Sequence, residues 1–188
     1  MVVGKRQVEE LTTRAATDVD DFYATVAPAP GDGDDALVLS CDGKGIVMRP
    51  DALRPATEKA AAVATTKLTT RLSKGEKRSR KRMAEVGAVY DLTPVARTAA
   101  DVMARSGDRD VTPPPSARHK WVTASVADDA AVVVGKVFDE AERRDPHHQR
   151  DWVVLVDGNN HQLDRIRAEA HARDVNVVVV IDLIHVLE

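Results

Sequence analysis

"DWVVLVDGNNHQLDRIRAEAHARDVNVVVVID", residues 151–182, reads as a strand, a helix and a second strand in immediate succession. The apolar run 151–157 closes on Asp157-Gly158. Leu163, Ile166 and Ala170 then recur at three- and four-residue spacing, which predicts a helix over 159–174 with those side chains inward. "VNVVVVID", 175–182, returns to β-branched residues and closes on Asp182. A strand, a crossover helix and a strand imply parallel pairing in a sheet covered on its faces.

Working upstream, "KWVTASV" (120–126) predicts another strand. The helix that follows it, 127–145, should turn Val133, Val137, Phe138 and Ala141 inward. "ALVLSCD" (36–42) and "EVGAVYDLTP" (85–94) have strand composition, and "ARSGDRDVTPPPSAR" (104–118) predicts a flexible loop. Val8, Leu11, Ala15, Val19, Phe22 and Tyr23 define an N-terminal amphipathic helix within residues 1–27, and "PAPGDGDD" (28–35) is a linker. The stretch 50–84 is rich in Ala, Lys, Arg and Glu and predicts a basic helical insertion in the core, which runs from 36 to 188. Trp121 and Trp152 open apolar strands and are expected as core anchors.

The 188 residues include 43% apolar but only 3% aromatic side chains, so the core must be built from Val, Ala, Leu and Ile. No run approaches the roughly 20 apolar residues of a membrane span, and the first ten residues carry charges where a signal peptide needs an apolar stretch. The single cysteine, Cys41, excludes an intramolecular disulfide and a Cys-based zinc site and suits a reducing cytoplasm. The net charge of −3 hides a segregation: eleven Lys or Arg face three Asp or Glu between Arg49 and Arg82. Within this stripe Arg71, Lys74, Lys77, Arg78, Lys81 and Arg82 would share a broad helical face suited to DNA phosphates, against the plainer reading of a solvated surface helix.

Asp42, Asp157 and Asp182 each follow an apolar run, and that edge of an α/β sheet is where ligands bind. Grouped carboxylates repel one another unless a cation lies between them, and Mg²⁺ takes oxygen ligands and bridges carboxylates to phosphates. Asp-Gly after a strand is also an ordinary turn. Lys44, beside Asp42, could approach a phosphate or be solvated in such a turn, and of the histidines on the helix after Asp157, His161 lies nearest that acid.

The blocks "VLSCDGKGIVMRPDALRPAT" (38–57), "TRLSKGEKRSRKRMAEVGAVYD" (70–91), "WVVLVDGNNHQLDRIRAEA" (152–170) and "VVVVIDLIHVLE" (177–188) resemble the ISKra-type family of bacterial insertion-sequence transposases, of the DDE class. The resemblance implies an α/β, RNase H-like mixed sheet, an antiparallel hairpin plus parallel strands with flanking helices. It implies DNA strand cleavage and strand transfer with two Mg²⁺ (or Mn²⁺) ions, Asp42 as the first catalytic acid and Asp157 as the second. "DLIH", Asp182 to His185, matches the family's Asp-x-x-His signature, which implies contact with DNA or ligand orientation, beside the plainer reading of His185 as a capping or packing residue under the next helix. The family's third acid, a Glu on a later helix, has no counterpart before Glu188, so the core is expected to be incomplete at its C-terminus and weakly active or inactive alone. The implied partners are the element's ends and target DNA, with homo-oligomers open and no membrane. Two other readings stand beside this one: a non-catalytic DNA-binding remnant, and an unrelated metal-dependent phosphohydrolase on a wholly parallel sheet.

Overall fold

The computed structural model describes residues 4–26, 33–49, 81–104 and 110–182, with single positions at 53, 55, 58 and 59. Two helices come first, α1 (Lys5–Ala15) and α2 (Val19–Thr25), followed by strands β1 (Ala36–Val47) and β2 (Lys81–Leu92). Then come α3 (Ala99–Met103), β3 (Arg118–Ser125), α4 (Ala130–Arg144), β4 (Trp152–Val156), α5 (Asn160–Ala172) and β5 (Val177–Ile181).

The strands form one mixed sheet in the order β3-β2-β1-β4-β5. β1 and β2 pair antiparallel from Ala36↔Leu92 to Val47↔Lys81, and β3 continues the antiparallel half with a register shift between Val89 and Asp91. β4 lies parallel to β1 on one side and to β5 on the other. The 151–182 segment is thus a parallel pair joined through α5, as its sequence requires.

Two boundaries differ from expectation. β1 does not stop at Asp42: Gly43, Lys44 and Gly45 look like a turn, yet they pair with Glu85, Ala84 and Met83. The predicted basic helix over 50–84 is overturned at its end, because Lys81–Ala84 open β2. Their composition favours helix, but the ladder to Lys44–Val47 outweighs that small preference. The rest of the insertion lies outside the described residues, apart from helical positions 55, 58 and 59.

Alternation on the strands supplies one wall of the core. Leu37, Leu39 and Cys41 of β1 and Trp152, Val154 and Val156 of β4 are all buried. Opposite them, α4 buries Val133, Val134, Val137, Phe138 and Ala141, and α5 buries Leu163, Ile166 and Ala170. Fully burying each large apolar side chain stabilises by about 1.5–3 kcal/mol. Asp129 starts α4 by accepting the Val132 amide, and Asn159 starts α5 by accepting that of His161. Gly87 lets α4 approach β2, since a Cβ there would lie 2.3 Å from Val137 Cγ2.

The predicted N-terminal helix is two helices, broken at Ala16–Asp18. Its apolar stripe is not covered, for α1 buries no residue and Val8, Leu11 and Phe22 are exposed. The end of α2 is tied down by the edge contact of Tyr23 with Trp121 and by Arg143, which donates to the Val26 carbonyl. Trp152 is fully buried as expected, and Trp121 packs on the rim of the same core.

The rim where β1 and β4 begin is ionic. Asp91, 1% exposed, accepts from Arg150 Nη2 at 2.7 Å, and His119 Nδ1 lies 2.8 Å from its other oxygen. Buried Glu140 accepts from Arg143 and Arg144, and Asp35 from Arg118 and Thr93. Asp145 accepts from Trp152 Nε1 and from the Gln149 and Arg150 amides. Burial pushes the Asp145 carboxyl up, but these bonds outweigh it and leave it below its ordinary value. This network joins the ends of β2 and α4 to the starts of β1, β3 and β4, far from the edge that carries the strand-end acids.

Candidate active site

Ser40, Leu155 and Val180 form one register row across β1, β4 and β5. Side chains alternate along a strand, so residues two further on share the row's face. Those residues are Asp42, Asp157 and Asp182. All six side chains line one cavity of about 370 Å³, together with Cys41 and Val156. The face is the one turned away from the Leu37, Leu39 and Cys41 core wall.

Each acid reaches this edge differently. Asp42 is exposed and sits within β1, two residues past the last β1–β4 pair, opposite Val86. Asp157 is half-buried just past β4, and its Oδ1 accepts the Asn159 amide at 3.0 Å, a turn that leads into α5. Between them Gly158 adopts φ +89, and a Cβ there would come within 3.1 Å of Ile181 Cγ2. Glycine therefore meets both a backbone and a packing demand. Exposed Asp182 extends the β4–β5 ladder by donating its amide to the Val156 carbonyl at 2.9 Å.

Cys41 lines the cavity but belongs to the core. Burial, aided by the charge of Glu85, pushes its thiol up to about 12, so it stays protonated and offers no thiolate to a metal or a substrate. The oxygens at the edge are therefore carboxylates and the Ser40 hydroxyl, a hard donor set suited to Mg²⁺ or Mn²⁺. Among the described residues no three His, Cys, Asp or Glu side chains are gathered closely enough to hold a metal ion by themselves. The fit is to an ion that keeps water and takes one or two carboxylates, the usual habit of Mg²⁺ at phosphate sites.

The other sequence-predicted residues divide. Lys44 is exposed on β1, two residues beyond Asp42 on the same face. Arg82 lies on β2 opposite Ile46, and Lys81 opposite Val47, so neither sits on a helical face as expected. Arg71, Lys74, Lys77, Arg78 and His185 lie outside the described residues. Ser40, which the sequence did not single out, was discoverable by stepping back two positions from Asp42. A second cavity of about 370 Å³, lined among others by Arg82, His161 and Arg165, was not discoverable from spacing, because three distant segments build it.

No family model matches the chain, and no match was found among curated proteins or among solved structures. Among the described residues no helix is long and apolar enough to cross a membrane.

Proposed function

We propose that the Asp42–Asp157 edge is a divalent-cation site for phosphoryl transfer on DNA, of the kind used by DDE transposases with an RNase H-like core. The observation that carries this reading is the register row: acids on neighbouring parallel strands, on one face, lining one cavity. The strand order supports it, because an antiparallel hairpin with its first strand beside the fourth is the RNase H-like arrangement. A wholly parallel sheet, which would favour the phosphohydrolase alternative, is not what the chain forms. The resemblance of the blocks around Asp42, Asp157 and Asp182 to ISKra-type transposases supplies the substrate, DNA.

In this reading Asp42 and Asp157 would hold the ion, and Asp182 borders the same cavity. A bound divalent ion supplies Lewis-acid activation of a water or 3′-hydroxyl and stabilises the leaving oxygen. The chain's own task is orientation: the Asn159 amide fixes one Asp157 oxygen, and the β1–β2 ladder fixes the position of Asp42. Lys44, on the face of Asp42, is placed to meet a phosphate oxygen.

Mn²⁺ titration followed by electron paramagnetic resonance tests the site without requiring turnover. Asp42→Asn and Asp157→Asn should each weaken Mn²⁺ binding at least tenfold. Unchanged binding in both variants would remove the metal site and the nuclease reading with it.

A further inference from the structure

The second cavity lies between the start of β2, the turn from β3 into α4, and the first turns of α5. Among the described residues three buried side-chain polar atoms have no hydrogen-bond partner, and two of them are Arg82 Nε and Arg165 Nε. Both residues line this cavity. A guanidinium N–H shut away from water without an acceptor is costly, and an anionic acceptor is its best complement.

The rest of the lining shows what is already committed. Asp129 caps α4 through the Val132 amide, and Asp128 pairs with Lys136 Nζ at 3.0 Å. Arg165 Nη2 lies 3.2 Å from His161 Nε2, which steers that guanidinium while leaving its Nε unmet. Since arginine only donates, the facing His161 nitrogen is the acceptor in this contact. Glu85 lines the cavity without a hydrogen bond or ion pair among the described residues, its carboxylate lying over Gly43. The opening residues of α4, Asp129 and Ala130, also line it, bringing the positive end of a fifteen-residue helix.

We propose that this cavity is a phosphate subsite that receives a backbone phosphodiester of the nucleic acid engaged at the Asp42 edge. The assignment rests on the DNA reading above and extends it. Glu85 pairs with Gly43 and Arg82 with Ile46, so the cavity flanks the part of the β1–β2 ladder that runs beyond Asp42, on the helix-covered side of the sheet. Arg82 and Arg165 donate to the non-bridging oxygens, and Glu85 repels an anion that sits too deep.

The test is binding of a fluorescein-labelled duplex to the full chain in EDTA, by anisotropy across a salt series, with ³¹P line broadening of inorganic phosphate as a second arm. The Arg82→Gln/Arg165→Gln double variant should bind the duplex about tenfold more weakly, with the salt slope reduced by about one. Glu85→Gln should tighten binding about two- to threefold, a gain that a misfolded protein cannot produce. Unchanged duplex affinity in the double variant, or weaker binding in Glu85→Gln, overturns the subsite. Broadening of inorganic phosphate that the double variant abolishes while duplex binding is unmoved assigns the cavity to a free phosphate and overturns the nucleic-acid assignment. EDTA removes the metal from these measurements, so loss of the Mn²⁺ site in the separate titration is a failure of the nuclease reading and not of the subsite.

Discussion

Asp42 and Asp157 stand two residues beyond Ser40 and Leu155, which face each other across parallel strands, so the two carboxylates occupy one face of one edge. The relationship depends on Gly158, whose φ of +89 turns the chain out of β4. Gly158→Ala must place a Cβ in left-handed backbone and 3.1 Å from Ile181 Cγ2. We expect a stability loss of about 1–2 kcal/mol and a severalfold loss of Mn²⁺ affinity as Asp157 moves. Urea unfolding and Mn²⁺ titration of one preparation read both; a variant with unaltered metal affinity would show that the turn does not position the acid.

Gly87 carries a packing prediction. Its missing Cβ is what admits Val137, whose Cγ2 would clash with any Cβ at this position. Gly87→Ala should cost about 1–3 kcal/mol by overpacking. Val137→Ala alone should cost by cavity formation, whereas the two together should cost less than their sum. A double-mutant cycle in urea measures the coupling, and strict additivity would mean that α4 moves bodily instead of clashing at this point.

Much of this packing was legible from residue spacing. Val133, Val137, Phe138 and Ala141 were expected inward and are buried, because a helix face pressed on a sheet writes its period into the sequence. The same logic failed for Val8 and Leu11, whose spacing is helical but whose helix buries nothing. Periodicity reports which face is apolar and not whether anything covers it. Lys81–Ala84 read as helix because their partners, Lys44–Val47, are more than thirty residues away and carry a turn-like glycine. The acids were legible, since a carboxylate closing a β-branched run is conspicuous. Arg165 was not, because its environment depends on β2 and on the turn before α4.

The ionic rim should be the most mutation-sensitive polar part of the molecule. Asp91 is 1% exposed, and Arg150 and Arg144, its partners at 2.7 and 3.8 Å, are nearly as buried. Asp91→Asn removes the carboxylate paired with the enclosed Arg150 guanidinium, which should destabilise by about 3–5 kcal/mol. Arg118→Gln, on the half-exposed side of the Asp35 contact, should cost less than about 1 kcal/mol. Guanidinium unfolding midpoints rank the two, and equal losses would show that burial does not set the strength of this network.

Asp101 gives the pH dependence. Its Oδ1 accepts the Thr112 amide at 2.9 Å, and its Oδ2 accepts the amide and hydroxyl of Thr98, both at 2.7 Å. The Thr112 bond first, and then those from Thr98, hold the carboxyl at about 2, below its ordinary 3.8. A group lowered on folding lends its stabilisation above the unfolded value and loses it as the pH falls through the folded one. The closure of the chain from Thr98 to Thr112 should therefore be intact above pH 4 and open as the pH approaches 2. The Thr112 amide resonance should titrate with a midpoint near 2, and Asp101→Asn should abolish that titration. A midpoint near 3.8 would show that the carboxylate is solvated and the Thr98–Thr112 closure is held by Arg97 alone, which donates to the carbonyls of Thr112 and Asp101.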